Sequence, residues 1–445
     1  MLRAPNLMHL RESAFLKNVL VVMSGTGIAQ GIVLAFSPVI SRLYGPAEFG
    51  VFGSFFSVAL ILTPLMTLQF WEALMLPAQD QVAARLFVAS CAATLVSSCM
   101  MGVLFLLFPG FWLAQLRTPE LQGWLWLIPV AALLCGLNLS LTAWCARQKA
   151  FKLNATTQVV RSLVLNGGQT GAGAAGFTGG GLIGSSLVAD LLAAAWLVRR
   201  MLRAGVFLPP KLGGAREVLA AAREYRDFPK FSAPQNFLNA LSQGAPVILL
   251  IHYYGALTGG LYAFSVRALQ FPLNFVLTSL RQVLFQRLSE TYNNGGRLSS
   301  EFTKGTLSLL AIVCVPSAIG FVFAPWFFST IFGKEWLAAG ECARWLLVWL
   351  VPGFCNLPAS LIARILRQQR MLLVFDVLLL SSRLAVLVLG GLHWPAMQTI
   401  AVFSVVGGVF NSALILWVWR LTKSRGRAHP ETAVPAQAAA SISCP

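Results

Sequence analysis

The sequence predicts an all-α polytopic membrane protein with twelve transmembrane helices in two six-helix bundles. Of its 445 residues, 57% are hydrophobic and only 11% are charged, whereas soluble domains are about 25% charged. Apolar runs long enough to cross ~30 Å of hydrocarbon recur along the whole chain. No run alternates between apolar and polar residues over ten positions, which argues against a β-barrel.

Twelve apolar runs make up most of the chain, and each is long enough for one membrane helix. The predicted spans are residues 16–41, 49–76, 83–108, 121–146, 153–175, 177–199, 228–254, 258–284, 305–328, 341–365, 371–391 and 396–420. Pro64 and Pro352 lie inside the second and tenth spans. A proline removes a helical hydrogen bond, so kinks are predicted there.

The distribution of Lys and Arg supports this topology. With the N-terminus in the cytoplasm, 26 of the 33 basic residues fall on the cytoplasmic side and 4 on the outer side. The other 3 lie within spans: Arg161, Arg267 and Arg383. Cytoplasmic loops are enriched in Lys and Arg, so both termini are predicted to be cytoplasmic. The net charge of +18 therefore indicates topology rather than a nucleic-acid partner.

Composition divides the chain into four segments. Residues 1–202 and 228–422 hold the two predicted bundles. Residues 203–227 are basic and predict a cytoplasmic linker that can contact anionic lipid headgroups. Residues 423–445 are rich in Ala, Pro and Ser, which predicts a disordered cytoplasmic tail.

The two halves share a short motif. Tyr44-Gly45, four residues and then Gly50-Val51-Phe52 recurs as Tyr254-Gly255, four residues and then Gly260-Leu261-Tyr262, 210 residues later. Both copies lie between the first and second spans of their half, and both halves begin in the cytoplasm. The sequence therefore predicts a parallel internal repeat.

Polar residues follow one face of the eighth predicted span. They are Arg267, Gln270, Asn274, Thr278 and Arg281. Their offsets from the first residue are 3, 7, 11 and 14, which at 100° per residue form one narrow stripe. The seventh span carries a second stripe: Ser232, Gln235, Asn239, Ser242 and Gln243. An ionised arginine at mid-bilayer costs about 3 kcal/mol or more, so it normally faces a partner or water. The stripes predict a water-filled, cationic cavity.

Arginines within spans are the candidate anion-binding groups. Arg267 has no acidic residue in its own hairpin and is therefore available to an anion. Arg161 on span five and Asp190 on span six are equally distant from the turn near Gly176. They reach the same depth if these spans pair, which predicts an ion pair. Such a pair either serves transport or only holds two helices together, and the sequence leaves both roles open.

The sequence leaves the partners or roles of three further ionisable residues open. Arg383 and Asp376 lie seven residues apart on span eleven, too far along the axis for an easy direct pair, so each needs another partner. Glu72 lies near the inner end of span two, where proton coupling and simple snorkelling to the interface are both open.

Covalent chemistry is not expected. The sequence contains no nucleophile–base constellation, only four His, and no C-x-x-C or His/Cys cluster at metal-ligand spacing. We predict no catalytic residues, no metal and no cofactor.

Segment 41–52 (SRLYGPAEFGVF) contains the pattern R-x-Y-x-P-x-x-F-G after the first predicted helix. This pattern resembles a signature of bacterial polysaccharide-biosynthesis membrane proteins, the O-antigen and exopolysaccharide repeat-unit flippases of the MATE-like exporter superfamily. Segments 228–234 (FPKFSAP), 260–267 (GLYAFSVR) and 332–336 (FGKEW) resemble three further motifs in the same order. The resemblance covers roughly residues 14–420.

This resemblance implies a MATE-like exporter fold in the bacterial inner membrane. It implies that a polyprenyl-diphosphate-linked oligosaccharide is flipped from the cytoplasmic to the periplasmic leaflet by alternating access. It also implies membrane lipids, a polysaccharide polymerase and chain-length machinery as partners. The positions of polar side chains within spans, rather than the resemblance, assign the charge to Arg267, Arg161 and Arg383, and the sugar contacts to Gln270, Asn274, Gln235 and Asn239.

Two other classes of membrane protein are alternatives to a flippase. A cation-coupled small-molecule exporter of the same superfamily is expected to need acidic residues deep in the first half, where the first two spans offer only Glu72. A polymerase or glycosyltransferase generally has a long periplasmic loop or an acidic pair after the first helix, whereas the predicted outer loops here are short and Glu48 stands alone.

Overall fold

The computed structural model describes residues 7–116, 121–205, 213–294, 296–366 and 368–425. Within these residues the structure is helical and contains no β-strand. The predicted tail from residue 426 onward and residues 206–212 of the predicted linker lie outside the described residues.

The first part of the chain forms eight helices. They are α1 (Leu7–Leu43), α2 (Pro46–Thr67), α3 (Phe70–Ala73), α4 (Asp80–Leu107), α5 (Pro109–Leu116), α6 (Leu127–Arg147), α7 (Phe151–Ala174) and α8 (Gly179–Arg203). Among these helices, α1 packs against α7, α7 packs against α8, and α6 packs against α2, α4 and α8.

The second part begins with the amphipathic helix α9 (Ala215–Glu224), followed by a π-helical turn at Phe228–Ser232. It continues with α10 (Ala233–Tyr254), α11 (Ala256–Asn293), α12 (Leu298–Ile331), a 3₁₀ turn at Lys334–Trp336, α13 (Leu337–Cys355), α14 (Leu357–Ile365), α15 (Gln369–His393) and α16 (Ala396–Arg425).

Helices cover all twelve predicted spans, but only nine helical segments of the described chain are long and apolar enough to cross a membrane. The helices over the other three spans are α7, α10 and α11. These three carry the polar residues on which the cavity prediction rests, and this polarity lowers their hydropathy. The count of twelve spans therefore stays a prediction.

Two predicted spans are interrupted. The helices run through Pro64 and Pro352. The first break comes at Leu68 and Gln69, which have φ angles of 49° and 56°. The second comes at Asn356, after which Pro358 lies in the first turn of α14. A left-handed conformation ends a helix because Cβ then crowds the backbone.

The chain divides into two compact units that are discontinuous in sequence. The first contains residues 1–271, 322–344 and 384–401, and the second contains 272–321, 345–383 and 402–445. The junctions fall inside α11, α12, α13, α15 and α16. The predicted boundaries of two bundles and a linker stay a prediction.

Each unit has its own packed interior. In the first, one cluster includes Phe87, Trp144 and Met201, and a second includes Phe55 and Ile128. In the second unit, a cluster that includes Phe302, Ile362 and Val418 joins α12, α14 and α16. Lipid is as apolar as these side chains, so close packing rather than escape from water stabilises such contacts.

The two copies of the repeated motif pack against each other. A Cβ added at Gly50 would lie 1.9 Å from the carbonyl oxygen of Ala256, and one added at Gly260 would lie 1.8 Å from that of Pro46. Ala256 and Gly260 follow Pro46 and Gly50 by the same 210 residues. The contact is thus the same in both directions, as expected where two copies meet about a pseudo-two-fold axis. The structure supports the predicted repeat.

Candidate functional site

Arg161 and Asp190 face each other between α7 and α8. Arg161 Nε donates to Asp190 Oδ1, so the ion pair predicted from their equal distances to the turn is present. The turn contains Gly176 at φ +81°, a conformation that favours glycine. A Cβ at Gly168 would lie 3.2 Å from Ser185, which shows how closely the two helices approach.

The two partners of this ion pair differ in exposure. The Asp190 side chain is 9% exposed and the Arg161 side chain is 42% exposed. Asn138 on α6 donates from Nδ2 to the backbone oxygens of Asp190 and Leu134, at 3.0 and 2.9 Å. Asp190 is therefore held among three helices, whereas part of Arg161 remains uncovered.

The other polar residues of α7 connect it to its neighbours. Thr26 on α1 donates to Gln158 Oε1 at 3.2 Å, and Asn154 Nδ2 donates to the backbone oxygen of Thr142 at 2.9 Å. Ser162 donates to the backbone oxygen of Ala29 at 2.8 Å. These bonds fix the rotation of α7 and so the direction in which Arg161 points.

Arg267 lies on α11 and is half-buried. Arg267 and Arg161 both lie in the first unit, and their like charges repel each other. Among the described side chains, none forms a hydrogen bond or an ion pair with Arg267. Arg161, Arg267 and the carboxylate of Asp190 together keep a net positive charge, which favours an anion.

The predicted amide donors are placed as follows. Gln270 is half-buried on α11, and Gln235 and Asn239 are exposed on α10. Asn239 Oδ1 accepts a hydrogen bond from Gln243 at 3.4 Å. Asn274 lies on α11, but its side chain is outside the described residues. Exposed amides on α10 can hydrogen-bond hydroxyl groups.

Glu72 does not simply reach toward the interface. It lies on α3, and Asn236 Nδ2 on α10 donates to its Oε1 at 3.0 Å. Sequence reasoning missed Asn236, which falls outside the predicted polar stripe. Glu72 also lines a cleft of about 410 Å³ together with Trp71, Met75, Thr142, Ala143 and Ala146.

Arg383 and Asp376 lie in the second unit and are not paired with each other in the described structure. The guanidinium carbon of Arg383 lies 4.0 Å from the ring centre of Trp349 and 4.6 Å from that of Phe403. The residue is 5% exposed. Asp376 is exposed. Aromatic faces can stabilise a buried cation, so here the charge of Arg383 is held by aromatic rings.

Three of the four family-like motifs, those at 41–52, 260–267 and 332–336, meet at the predicted outer end of the first unit. Trp336 Nε1 donates to the Ser41 backbone oxygen at 2.8 Å, and Ser41 Oγ donates to that of Phe332 at 3.1 Å. Phe49 packs edge-on against Phe264 and Trp336, each at 5.2 Å between ring centres. These motif residues therefore hold helix ends together.

Tyr44 fastens the start of the repeated motif to α7. Its hydroxyl donates to the Gln169 backbone oxygen at 2.9 Å. Burial raises the pKa of the Tyr44 phenol, and the Glu48 carboxylate raises it further, so the hydroxyl stays protonated and able to donate. Tyr254, its counterpart, likewise donates to the Trp394 backbone oxygen at 2.9 Å.

A family model described as "Polysaccharide biosynthesis protein" matches residues 39–341. The chain belongs to this family. The match covers the family-like segments at 41–52, 228–234, 260–267 and 332–336, and it includes Arg161, Asp190 and Arg267. No curated protein sequence matches the chain.

Solved structures share its fold. An inward-facing MATE family multidrug resistance transporter of the MOP superfamily matches with a TM-score of 0.68 and 13% identity, covering 90% of this chain and 95% of the other. The lipid II flippase MurJ, in an inward closed conformation, matches with a TM-score of 0.68 and 10% identity, covering 91% and 87%. A MOP superfamily transporter from Pyrococcus furiosus matches with a TM-score of 0.56 and 13% identity, covering 93% and 97%. This member of the polysaccharide biosynthesis family is thus a multi-pass membrane protein with the MATE-like fold.

Proposed function

We propose that this protein is a flippase for polyprenyl-diphosphate-linked oligosaccharides, moving them from the cytoplasmic to the periplasmic leaflet of the bacterial inner membrane. The observation that carries the proposal is the pair Arg161 and Arg267, two cations that act on one region of a membrane protein. Membership of a polysaccharide biosynthesis family and the fold shared with a lipid II flippase support it.

A diphosphate cannot cross hydrocarbon without compensation for its charge. Guanidinium groups match phosphate oxygens in geometry and remain charged at any physiological pH. Keeping an arginine at mid-bilayer costs about 3 kcal/mol or more. Two arginines that both carry this cost indicate a functional use. Binding an anion there offsets both the charge of the ligand and that of the site.

The glycan needs hydroxyl-binding groups rather than charge. Gln235 and Asn239 are exposed on α10, and Gln270 lies one helical turn from Arg267 on α11. We assign these three amides to sugar hydroxyls. After flipping, the repeat unit is available for polymer synthesis at the periplasmic leaflet. A polysaccharide polymerase and chain-length machinery are the proposed partners in that step. We place both termini in the cytoplasm.

Substitution of Arg267 by Ala tests the proposal. Surface polysaccharide is measured in cells with the chromosomal gene deleted and the variant expressed at the wild-type level. We expect loss of surface polymer and accumulation of its lipid-linked precursor. Arg297→Ala, at an exposed arginine next to α12, is the matched control and retains polymer. Normal polymer with Arg267→Ala would contradict the proposal.

The alternative is a cation-coupled exporter of small molecules. The cleft of about 410 Å³ favours it, because Glu72 lies there beside Trp71 and Met75. A carboxylate among aromatic and apolar side chains suits a lipophilic cation. Deletion cells that become drug-sensitive while keeping their surface polymer would favour this alternative over the flippase.

A further inference from the structure

Two arginines of the first unit use their guanidinium groups differently. Arg147 donates from Nε and Nη2 to Asp80 and from Nη1 to the backbone oxygen of Leu74, at 3.0, 2.8 and 2.8 Å. All three of its nitrogens are engaged, and its side chain is 11% exposed. Arg161 donates to Asp190 from Nε alone and is 42% exposed.

From this contrast we infer that Asp190 is a positioning residue, which holds Arg161 by its Nε edge so that the Nη1–Nη2 edge faces a bound phosphate. The inference rests on the proposed function, because it takes the ligand to be a diphosphate. It goes further in giving Asp190 a role in transport and in assigning one edge of Arg161 to the ligand.

A guanidinium group can bind two oxyanions at once, one on each of two edges. The group is planar, and its N–H donors point outward along separate edges. A carboxylate at Nε fixes the rotation of the plane and leaves the Nη1–Nη2 edge for two parallel hydrogen bonds to a second oxyanion. Among the described residues, no acceptor other than Asp190 forms a hydrogen bond with Arg161.

The surroundings determine which partner is fixed. Asp190 is buried, and Asn138 fastens its backbone to α6. Arg161 is the uncovered partner on a longer, flexible side chain. An arriving phosphate therefore meets Arg161, whereas Asp190 stays in place behind it. Asp190 also offsets one unit of positive charge, so that Arg161, Arg267 and Asp190 together keep one net positive charge.

Arg267 supplies the second cation. Its charge acts on that of Arg161, and the described side chains give it no counter-ion. An anion with two phosphate groups offers one oxyanion to each arginine, whereas a single phosphate offers only one. The site should therefore distinguish diphosphate from monophosphate.

The test measures binding of inorganic pyrophosphate to the purified full-length protein in detergent, by its effect on the thermal unfolding temperature and by titration calorimetry. Inorganic phosphate is the comparison ligand. Asp190→Asn and Asp190→Ala form a matched pair, since both remove the negative charge but only Asn keeps an acceptor for Arg161 Nε. Comparing them cancels the charge effect.

We expect Asp190→Asn to bind pyrophosphate at least as tightly as the wild type. Asp190→Ala should bind about tenfold more weakly than Asp190→Asn, the effect of one lost charge-assisted hydrogen bond. Equal affinities for the two variants would overturn the positioning role while leaving the proposed function standing, provided that Arg161→Ala loses binding.

Arg161→Lys provides an independent test if Asp190→Ala does not fold. Arg161→Lys keeps an ion pair with Asp190 but has no second edge, so it should lose pyrophosphate binding while unfolding at the wild-type temperature. Wild-type affinity of Arg161→Lys for pyrophosphate would overturn the inference. A wild-type protein that binds neither anion would instead remove the diphosphate site, and with it both the inference and the proposed function.

Discussion

Gly50 and Gly260 lie where α2 and α11 cross, each against a backbone carbonyl of the other helix. The space left for a side chain is less than 2 Å at both positions, so no residue larger than glycine fits without moving a helix. The two glycines are equivalent positions of the repeat, so the same helix crossing explains why glycine is needed at both.

The first prediction concerns this crossing. Gly50→Ala or Gly260→Ala should lower the stability of the protein by about 1–3 kcal/mol or more, since the added methyl group meets backbone that cannot rotate away. The thermal unfolding temperature in detergent measures the effect. Gly31→Ala on α1 is the control, because a Cβ there meets nothing within 4 Å. Alanine favours helix over glycine by about 1 kcal/mol, so this variant should not be destabilised. Equal losses at all three sites would contradict the close crossing.

The second prediction uses Gly53 and Ala263, which are also equivalent in the repeat. A Cβ at Gly53 would lie 3.2 Å from that of Ala263, close to the spacing of about 3.5–4.5 Å found in disulfides. Cysteines at both positions should therefore form a disulfide on mild oxidation. Protease cleavage in the linker followed by non-reducing electrophoresis detects the bond. Each single variant is the control, and separate fragments from the double variant would show that the helices do not approach here.

The third prediction concerns Arg383. A Cβ at Gly407 would lie 2.3 Å from Arg383 Nη2 and 2.8 Å from the Trp349 ring. Gly407→Ala should therefore displace the guanidinium from its aromatic partners and cost about 1–3 kcal/mol of stability. Gly353→Ala is the matched control, because its Cβ would meet Trp349 at an ordinary 3.8 Å. Thermal unfolding of both variants distinguishes displacement from a general effect of replacing glycine.

The fourth prediction exchanges the charges of the α7–α8 pair. Arg161→Asp and Asp190→Arg alone each leave two like charges together and should lower the amount of folded protein. The double exchange restores an ion pair and should recover stability, measured as the yield of folded protein in detergent. Surface polymer should stay absent, because the arginine then starts from the buried position on α8. Recovery of polymer together with stability would show that the pair only holds two helices together.

Much of the fold follows from the sequence because long apolar runs leave few alternatives to helices. The Arg161–Asp190 pair was predictable for the same reason: a hairpin of two regular helices fixes which residues share a depth. Arg383 was harder to interpret. Its partners Trp349 and Phe403 lie on α13 and α16, and no spacing along α15 indicates them.

The link between Asn236 and Glu72 shows what the pattern missed. Asn236 lies about 100° around α10 from Gln235, so the predicted stripe excludes it. Its partner Glu72 lies on α3, and no spacing along α10 indicates that partner. Glu72 is also displaced from the predicted span, because the left-handed residues Leu68 and Gln69 place it on a separate helix. Both departures depend on tertiary packing.

The low hydropathy of α7 has a consequence for biogenesis. Arg161, Asn154 and Gln158 make this helix a poor substrate for insertion as a single segment. Asp190 follows on the next helix to leave the ribosome, and pairing with it neutralises the arginine. We therefore expect the α7–α8 hairpin to enter the bilayer as one unit, so that synthesis of α8 sets the moment at which α7 becomes a stable part of the membrane.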